Sequence, residues 1–483
     1  MTEPLALLPL AAAAGGGTVD QFEAQQLVAA GLTLLQRCAP LVRALSGRRS
    51  AILLPTSPAF LTALAASDGR GALFVNPLAS PLEIAAQLRE ADVGAAFTLA
   101  ALAARLPDAL PRVLLDDAPR AARYVDPGTT RDVDMGSHVG LSIEGERDVA
   151  GRDEEAAVVF TSAMAGRPLG AVLTHRNLIA NARSTVVAAE NTSDDHVLAL
   201  LPFSHLFGLT VTGMAPLLAG ARVTTMERFN PVRAVELIST GGITEVVGVP
   251  AVFRGLLAAY GKRGAAARGN TLRLCICGGA PLDRELQDRW ADVTGVELRQ
   301  GYGLTEGAPV CLFNQVSLPN ARGTMGVPFP GVEVTIREPA AASAGLTAEC
   351  PRGAPGEICV RGENVFRGYL RNGERGLPVR DGWLYTGDGG VMNADGTVTF
   401  TGVLKRMFTR SGFNIYPEEL RRAVLELDGV TDVRVRAIPE PSREHDVGLA
   451  VTGAVTADQV RAWCERRLAA YKQPAEIVVT GSR

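Results

Sequence analysis

Short apolar runs alternate with helical stretches from about residue 20 to residue 325, and this alternation constrains the fold more than any other feature. Runs typical of buried strands cover 50–55, 155–160, 197–201, 244–249 and 272–276, while 27–45 has helical periodicity. Strands that are separated by helices form parallel sheets covered on both faces. The sequence therefore predicts an α/β fold for this region.

The pattern changes near residue 323, where short strands with glycine-rich turns replace the alternation. The segments GVPFPGVEVTI, GEICVRG and DGTVTFTG indicate antiparallel, barrel-like sheet over about 323–402. From Tyr416 onward the pattern predicts an α+β unit with helices at 417–427 and 457–470 and strands at 433–438 and 448–452. We therefore predict an N-terminal domain of residues 1–402 and a C-terminal domain of residues 403–483.

Charge and composition exclude several classes of protein. The 48 Lys and Arg residues nearly balance 51 Asp and Glu residues, and no basic run suits a nucleic-acid partner. No stretch of about 20 apolar residues predicts a membrane span. Residues 1–17 contain Glu3 but no basic residue, which argues against a signal peptide and favours a loosely docked N-terminus. The seven scattered cysteines favour reduced, mostly buried thiols in a cytoplasmic protein, and no metal site is predicted.

Three segments have the character of ligand-binding loops. Residues 160–178, FTSAMAGRPLGAVLTHRNL, follow a predicted strand and lead into a helix, an order that suits anions because free N–H groups meet them there. Residues 300–306, QGYGLTE, combine two glycines with an aromatic ring, a hydroxyl and a carboxylate. Residues 381–388, DGWLYTGD, end in a carboxylate suited to ribose hydroxyls. Each signal is weak alone, because glycine-rich turns are common.

Taken in order with five further segments, these loops carry a family resemblance. The further segments are LPFSHLFGL (201–209), CGGAPL (277–282), GTMGVPFPGVE (323–333), GEICVRGENVFRGY (356–369) and SGFNIYPEEL (411–420). The chain resembles the adenylate-forming superfamily of acyl-CoA synthetases from about residue 50 to its end. The resemblance implies two mostly parallel, helix-covered sheets, a small β-barrel-like unit and a small mobile α+β C-terminal domain.

The resemblance also assigns nucleotide contacts. Tyr302 would stack on adenine, Asp388 would hold the ribose hydroxyls and Thr305 would contact the phosphate. Glu306 has the place of the family's magnesium-binding carboxylate. The full set expected around the nucleotide is Gly278, Gly279, Ala280, Tyr302, Gly303, Thr305 and Asp388.

Three further positions would serve the acyl group, the thiol and the domain rotation. His205 would be a gate between the acyl pocket and the incoming thiol, although a structural histidine at a helix–loop junction is the alternative. Lys405 falls at the hinge, about which the C-terminal domain would rotate between an adenylation pose and a thioester-forming pose. Gly412 would let pantetheine pass close to the backbone.

The phosphate loop departs from the family pattern T-S-G-T-T-G-x-P-K-G. The pair of threonines is replaced by Met164 and Ala165, the first glycine by Ala163 and the lysine by Leu169. Holding a triphosphate requires donors and positive charge, which these residues lack. Arg167 could substitute in part.

Two other departures fall on the adenylation chemistry. Val403 stands where the family usually has an arginine that meets the nucleotide. The family's adenylation lysine normally lies ten to fifteen residues beyond a Y-K-x-P segment. Here that segment is 471–474, and the sequence reaches Arg483 without this lysine. We therefore expect the lysine to be missing.

The expected function is thioester formation without adenylation, with CoA and acyl-AMP as substrates. The pattern is similar to non-adenylating CoA ligases of platensimycin-type diterpenoid pathways, which implies a bulky hydrophobic acid and a separate adenylating enzyme. Thr305, backbone N–H groups and His205 would stabilise the oxyanion, and any Mg²⁺ at Glu306 would be dispensable. Two alternatives remain: a complete ATP-dependent acyl-CoA synthetase with Arg167 and Lys472 substituting, or a non-catalytic adenylate- or CoA-binding protein.

Overall fold

The computed structural model describes residues 16–67, 71–135, 154–161, 168–263, 271–339, 346–370, 378–404 and 408–481. Most of the predicted N-terminal extension (residues 1–15), the centre of the phosphate loop (162–167) and Lys405 lie outside them. Within the described ranges, no helix is both long and apolar enough to span a membrane. All seven cysteines are free, and all except the half-buried Cys350 are buried.

The first sheet has nine strands in the order β17-β16-β15-β14-β13-β11-β12-β1-β2. Its centre, from β15 to β1, is parallel, and antiparallel strands extend both edges. The strand bounds are β1 Thr18–Val19, β2 Phe22–Glu23, β11 His196–Ala199, β12 Arg222–Thr225, β13 Glu245–Gly248, β14 Leu274–Cys277, β15 Leu298–Gly303, β16 Val310–Phe313 and β17 Val327–Pro328.

The second sheet also has nine strands, in the order β20-β10-β9-β4-β3-β5-β6-β7-β8. Strands β9, β4, β3, β5 and β6 are parallel, and the flanking strands are antiparallel. The bounds are β3 Arg49–Leu53, β4 Ala72–Phe74, β5 Val93–Thr98, β6 Arg112–Leu114, β7 Ala121–Asp126, β8 Thr129–Asp134, β9 Glu155–Thr161, β10 Leu169–Thr174 and β20 Gly368–Tyr369. The two mostly parallel sheets confirm the predicted fold class.

A third, antiparallel sheet follows the order β18-β19-β22-β21, with β23 paired to β22. Its bounds are β18 Val332–Arg337, β19 Pro355–Gly362, β21 Val379–Arg380, β22 Trp383–Met392 and β23 Val398–Val403. This sheet occupies the region predicted to be barrel-like. Its last strand ends at Val403, one residue beyond the predicted domain boundary.

The C-terminal domain combines a hairpin, a three-stranded sheet and two helices over its own apolar core. Its strands are β24 Phe408–Arg410, β25 Phe413–Ile415, β26 Val430–Glu440, β27 Glu444–Gly453 and β28 Glu476–Thr480. Strand β28 pairs in parallel with β27 and was not predicted from the sequence.

The helices are α1 Ala24–Arg37, α2 Ala39–Ala44, α3 Pro58–Ser67, α4 Pro81–Glu90, α5 Ala100–Ala103, α6 His175–Ala189, α7 Ala215–Leu218, α8 Pro231–Thr240, α9 Pro250–Arg263, α10 Arg284–Thr294, α11 Pro417–Leu425 and α12 Ala457–Arg467. A π-helix spans Phe207–Met214, and 3₁₀ turns span Thr305–Gly307 and Ala470–Lys472. The predicted helical stretch 27–45 is two helices divided at Cys38, because Pro40 favours a new helix start.

Capping residues set the start of several helices. Ser80 and Glu83 form a capping box on α4, and Thr174 with Asn177 and Thr456 with Gln459 form the same motif on α6 and α12. Each box satisfies two backbone N–H groups that a helix start would otherwise leave without partners.

Candidate active site

Many of the predicted site residues lie at one edge of the first sheet, where its parallel strands end. Segments that follow the carboxyl ends of β11, β13, β14 and β15 line a cleft of about 1290 Å³, which the C-terminal domain also borders. Crevices at the carboxyl ends of parallel strands are the usual ligand sites of α/β folds. The sheet topology thus explains why residues so distant in sequence meet here.

The CGGAPL segment turns sharply where β14 ends. Gly278, Gly279 and Ala280 all line the cleft. Gly279 has φ +76°, which a side chain would strain, and a Cβ there would lie 3.3 Å from Cγ1 of Val249. The turn therefore presents backbone to the cleft, as the predicted adenine wall requires.

Tyr302 and Asp388 are joined directly. The Tyr302 hydroxyl donates to Oδ2 of Asp388 over 2.7 Å. Burial, with the Asp388 carboxylate beside the ring, raises the pKa of Tyr302 far above its usual value, so the phenol remains a donor. Gly303 and Thr305 follow at the end of β15 and also line the cleft. All seven predicted nucleotide residues thus lie along one cavity.

Asp388 lies next to the end of the third sheet. In the β22–β23 pairing it is opposite Val403, and the N–H of Leu404 donates to the carbonyl of Gly387 over 3.0 Å. Val403, where the family usually has an arginine, lines the same cleft. The predicted hinge residue, Lys405, lies just outside the described residues.

Glu306 is buried and accepts the Tyr369 hydroxyl on Oε1 over 2.6 Å. Burial and this carboxylate raise the pKa of Tyr369 beyond its usual range, so the hydroxyl stays protonated. In the described part of the chain, no group of three or more His, Cys, Asp or Glu side chains could hold a metal ion. Glu306 is thus a single carboxylate with one oxygen engaged, and a cation there would need its other ligands from phosphate or water.

His205 follows β11 on a loop anchored to the second sheet. The Thr56 hydroxyl donates to the carbonyl of Leu201 over 3.0 Å and accepts the N–H of Phe203 over 3.1 Å. The His205 side chain is open to the cleft but lies deep in the protein, and burial lowers its pKa. Its Nδ1 accepts the N–H of Phe207 over 3.2 Å, which places the proton of the neutral ring on Nε2. His205 is therefore a neutral N–H donor.

The π-helix continues directly from the His205 loop. Phe207 and Val211 both line the cleft, and a Cβ on Gly278 would lie 3.1 Å from Cζ of Phe207. Irregular helical turns of this kind occur frequently at functional sites. Together with Pro309 and Val310 at the start of β16, these side chains form an apolar wall.

Gly412 brings the C-terminal domain to the cleft. It has φ +79°, and a Cβ there would lie 2.8 Å from Cγ1 of Val249 in the N-terminal domain. Its N–H donates to Oε2 of Glu444 over 3.2 Å. The sequence indicated the glycine but not its contact with Val249, because only the folded chain shows which residue it approaches.

Only the ends of the phosphate loop belong to the described residues. Leu169 is half-buried, packs against the main hydrophobic core and accepts the Thr161 hydroxyl on its carbonyl over 3.4 Å. Met164, Ala165 and Arg167 lie outside the described residues. The position of the family's lysine thus carries an apolar, half-buried side chain that packs against the core.

Two residues of the site were not predicted from the sequence. His445 of β27 lines the cleft beside Phe408 and stands in no recognised segment. Tyr369 of β20 ends the segment 356–369, but its bond to Glu306 is a long-range contact that one sequence does not show.

Comparison with known proteins agrees with this geometry. The model of the AMP-binding enzyme family matches residues 39–370. A feruloyl-CoA synthase from an Amycolatopsis species is 32% identical over 441 residues, which cover 90% of this chain and 85% of that protein.

Solved structures extend the comparison over both domains. A malonyl-CoA ligase in a ternary product complex with methylmalonyl-CoA and AMP has a TM-score of 0.78 and 26% identity, covering 100% of both chains. MatB from Rhodopseudomonas palustris with ATP bound has a TM-score of 0.69 and 25% identity, covering 99% of this chain and 95% of that one.

Proposed function

The chain belongs to the AMP-binding enzyme family, and from this premise we propose that it transfers an acyl group from a preformed acyl-adenylate to CoA. In this proposal a separate enzyme makes the adenylate from ATP. The activity is the second half of the reaction of acyl-CoA ligases, the class to which the similar proteins belong.

The observation that carries the proposal is the apolar character of Leu169. Its side chain packs on the core at the place of the family's phosphate-binding lysine. Val403 likewise brings no charge to the cleft where the family has an arginine. Adenylation must neutralise charge developing on the phosphates, and preorganised cations typically contribute several kcal/mol to such steps. The nucleotide and thiol positions, by contrast, retain the family's residues.

The position of the C-terminal domain supports the same half-reaction. The Gly412 loop contacts Val249 beside the cleft, where the thiol would approach the acyl carbonyl.

The proposed chemistry is nucleophilic acyl substitution. The CoA sulfur attacks the acyl carbon, a C–S bond forms, the C–O bond to phosphate breaks, and AMP leaves with the bonding electrons. The thiol proton is released to water. Because the acyl phosphate is already activated, alignment of sulfur and carbonyl can supply much of the acceleration.

Two side chains are placed to stabilise the oxyanion of the tetrahedral intermediate. The neutral Nε2–H of His205 is a donor open to the cleft, and Thr305 lies at its nucleotide end. Donors fixed before the reaction are effective because they need no reorganisation as charge develops. His205 would act as a donor and not as a base, because its Nδ1 lone pair already accepts a backbone N–H.

The apolar wall of Phe207, Val211 and Val310 fits a bulky hydrophobic acid, such as a diterpenoid-like carboxylate. Burial of such a group contributes about 25 cal/mol per Å² of apolar surface. We place the enzyme in the cytoplasm, where CoA is available to it.

A complete ATP-dependent synthetase is the second candidate, because the feruloyl-CoA synthase is similar over 90% of this chain. It would require Arg167 and Lys472 to bind the phosphates of ATP. In the structure the Lys472 ammonium borders the cleft and is bound by Glu419 and Glu83 at 2.6 and 2.8 Å, so it would have to leave both carboxylates to bind a phosphate.

Two parallel reactions test the proposal with purified protein and a panel of bulky and aliphatic acids. One contains acid, ATP, Mg²⁺ and CoA, and the other contains synthetic acyl-AMP and CoA without ATP. We expect acyl-CoA and AMP only in the second reaction. Thioester in the first would establish the complete synthetase, and none in either would favour a non-catalytic binding protein.

The role of Mg²⁺ is tested in the same assay. Without a pyrophosphate leaving group a divalent cation has little charge to neutralise. We expect the reaction of acyl-AMP with CoA to keep its rate in excess EDTA. A loss that added Mg²⁺ restores would assign Glu306 a cation in the thioester step.

A further inference from the structure

We propose that Glu83 is a positioning residue for the thioester step. It lies in the N-terminal domain, binds Lys472 of the C-terminal domain and so holds the Gly412 loop at the cleft. This inference rests on the proposed function for its chemistry, but the domain contact itself can be measured without any reaction.

The contact is a buried cluster of three charges. Lys472 is only 3% exposed, and its Nζ lies 2.6 Å from Oε1 of Glu419 and 2.8 Å from Oε1 of Glu83. Glu419 is in the first turn of α11, so it belongs to the same domain as Lys472. Glu83 is therefore the member that joins the two domains.

Glu83 is itself held in a fixed orientation. Its Oε2 accepts the N–H of Ser80 over 2.7 Å in the capping box of α4. The Ser80 hydroxyl donates to the carbonyl of Arg467, at the end of α12, over 3.1 Å. One capping motif thus contacts the C-terminal domain at two points.

The charges of this cluster favour the Glu83 contact in one orientation of the C-terminal domain. Burial alone would lower the pKa of Lys472, but Tyr471 and the two carboxylates outweigh it, and the pKa is raised. Burial raises the pKa of Glu419 despite the lysine beside it. If the C-terminal domain turned away, Lys472 and Glu419 would remain a pair and Glu83 would lose its cation.

A second ionic contact lies near the Gly412 loop. Arg254 of α9 binds Asp283 at 2.7 Å and approaches Glu444 of the C-terminal domain at 3.9 Å. Glu444 also accepts the N–H of Gly412. Two separate contacts between the domains restrict the rotation of the C-terminal domain more than a single hinge does. The Glu83 contact is the shorter of the two.

Kinetics with acyl-AMP and CoA test the role in the reaction. Glu83→Gln keeps an acceptor for the Ser80 N–H but removes the charge, and we expect kcat/KM for CoA to fall about 10-fold. Affinity for AMP and the thermal midpoint should be unchanged, since neither depends on the pose. Glu418→Gln is the matched control, because Glu418 is exposed beside Glu419. Both ion pairs that Glu418 makes with described residues are within α11.

A double-mutant cycle separates positioning from general structure. Lys472→Met should lower the same kcat/KM, and adding Glu83→Gln should cost little more, because the two residues act through one contact. Full additivity, or a loss that follows the thermal midpoint, would contradict the proposal.

A distance measurement tests the contact independently of activity. Spin labels on cysteines introduced at the exposed Ala86 and Ala454, with Cys350 replaced by serine, report the separation of the domains. We expect one dominant distance in the parent and a second population in Glu83→Gln. Equal distributions in both would overturn the inference, whether or not acyl-CoA is formed.

Discussion

The Tyr302 hydroxyl donates a 2.7 Å hydrogen bond to Asp388, which joins the residue expected to stack on adenine to the one expected to hold the ribose. The bond crosses from β15 of the first sheet to β22 of the third sheet. The end of the cleft that is expected to hold the nucleotide is therefore assembled from strands of two different sheets.

This geometry predicts unequal effects of two substitutions on AMP binding. Asp388→Ala removes the ribose acceptor and should weaken AMP binding by about 10- to 100-fold, as expected for a charged hydrogen bond. Tyr302→Phe keeps the ring and should cost less. Isothermal titration calorimetry measures both, with Asp395→Asn in the β22–β23 turn as control. Equal affinities for parent and Asp388→Ala would contradict the ribose assignment.

Gly412→Ala should obstruct the thioester step. The new Cβ would lie 2.8 Å from Val249 Cγ1 at φ +79°, so both a clash and backbone strain oppose it. We expect the rate with acyl-AMP and CoA to fall by more than about 10-fold, since a displacement of roughly 1 Å can cost far more. AMP affinity should remain unchanged.

The companion variant Val249→Ala distinguishes the two causes. Combined with Gly412→Ala it should recover part of the rate if the clash dominates and none if the strain dominates. A fully active Gly412→Ala would show that the loop does not form the thiol path.

His205 should act as a hydrogen-bond donor and not as a base. His205→Ala removes the Nε2–H and should reduce kcat by about 10- to 100-fold, whereas His205→Gln should recover part of it because its amide donates. Since burial lowers the His205 pKa, the parent kcat should show no His205 titration above about pH 6.5. If His205 acted as a base, kcat would rise with pH. His205→Ala and His205→Gln would then lose activity equally.

Glu245 should make stability depend on pH. Burial, opposed by Arg273, raises its pKa to about 7, and Asn191 donates to its Oε2 over 2.7 Å. The unfolded carboxyl loses its proton near pH 4.5, so the folded state is progressively penalised as pH rises from about 4.5 to 7. Glu245→Gln keeps an acceptor for Asn191 and should add about 2 kcal/mol to the unfolding free energy at pH 8.

Denaturant unfolding at pH 5 and pH 8 measures this difference. Asp195→Asn is the contrasting control, because it weakens the pair with Arg273 and should destabilise at both pH values. A Glu245→Gln variant with the parent's pH dependence would show that the carboxyl is ionised when folded.

Local patterns predicted much of the fold. The buried strands β3, β9, β11, β13 and β14 carry apolar runs, and Thr174 and Asp283 cap the helices α6 and α10. Strand β28 was missed because alternation in only five residues, Glu476–Thr480, is a weak signal without its partner β27. The division of α1 from α2 at Cys38 was not predicted, although Pro40 is a local signal for a helix start.

The site was predictable in its members but not in its contacts. The glycines and Tyr302 stand in recognisable motifs, and the parallel topology brings them to one edge of the sheet. Gly412 and Val249 are 163 residues apart in sequence, and Glu83 and Lys472 are 389 residues apart. No local pattern encodes pairings over such separations.

The pairing of Asp388 with Val403 places the carboxylate that we propose for ribose binding across one rung of a β-ladder from the segment that leads to the predicted hinge. The bond from Leu404 to Gly387 extends that ladder by one step. A residue inserted between positions 401 and 404 would change the register of this segment against Asp388. The position of the C-terminal domain and the proposed nucleotide contact are therefore coupled through one strand pairing.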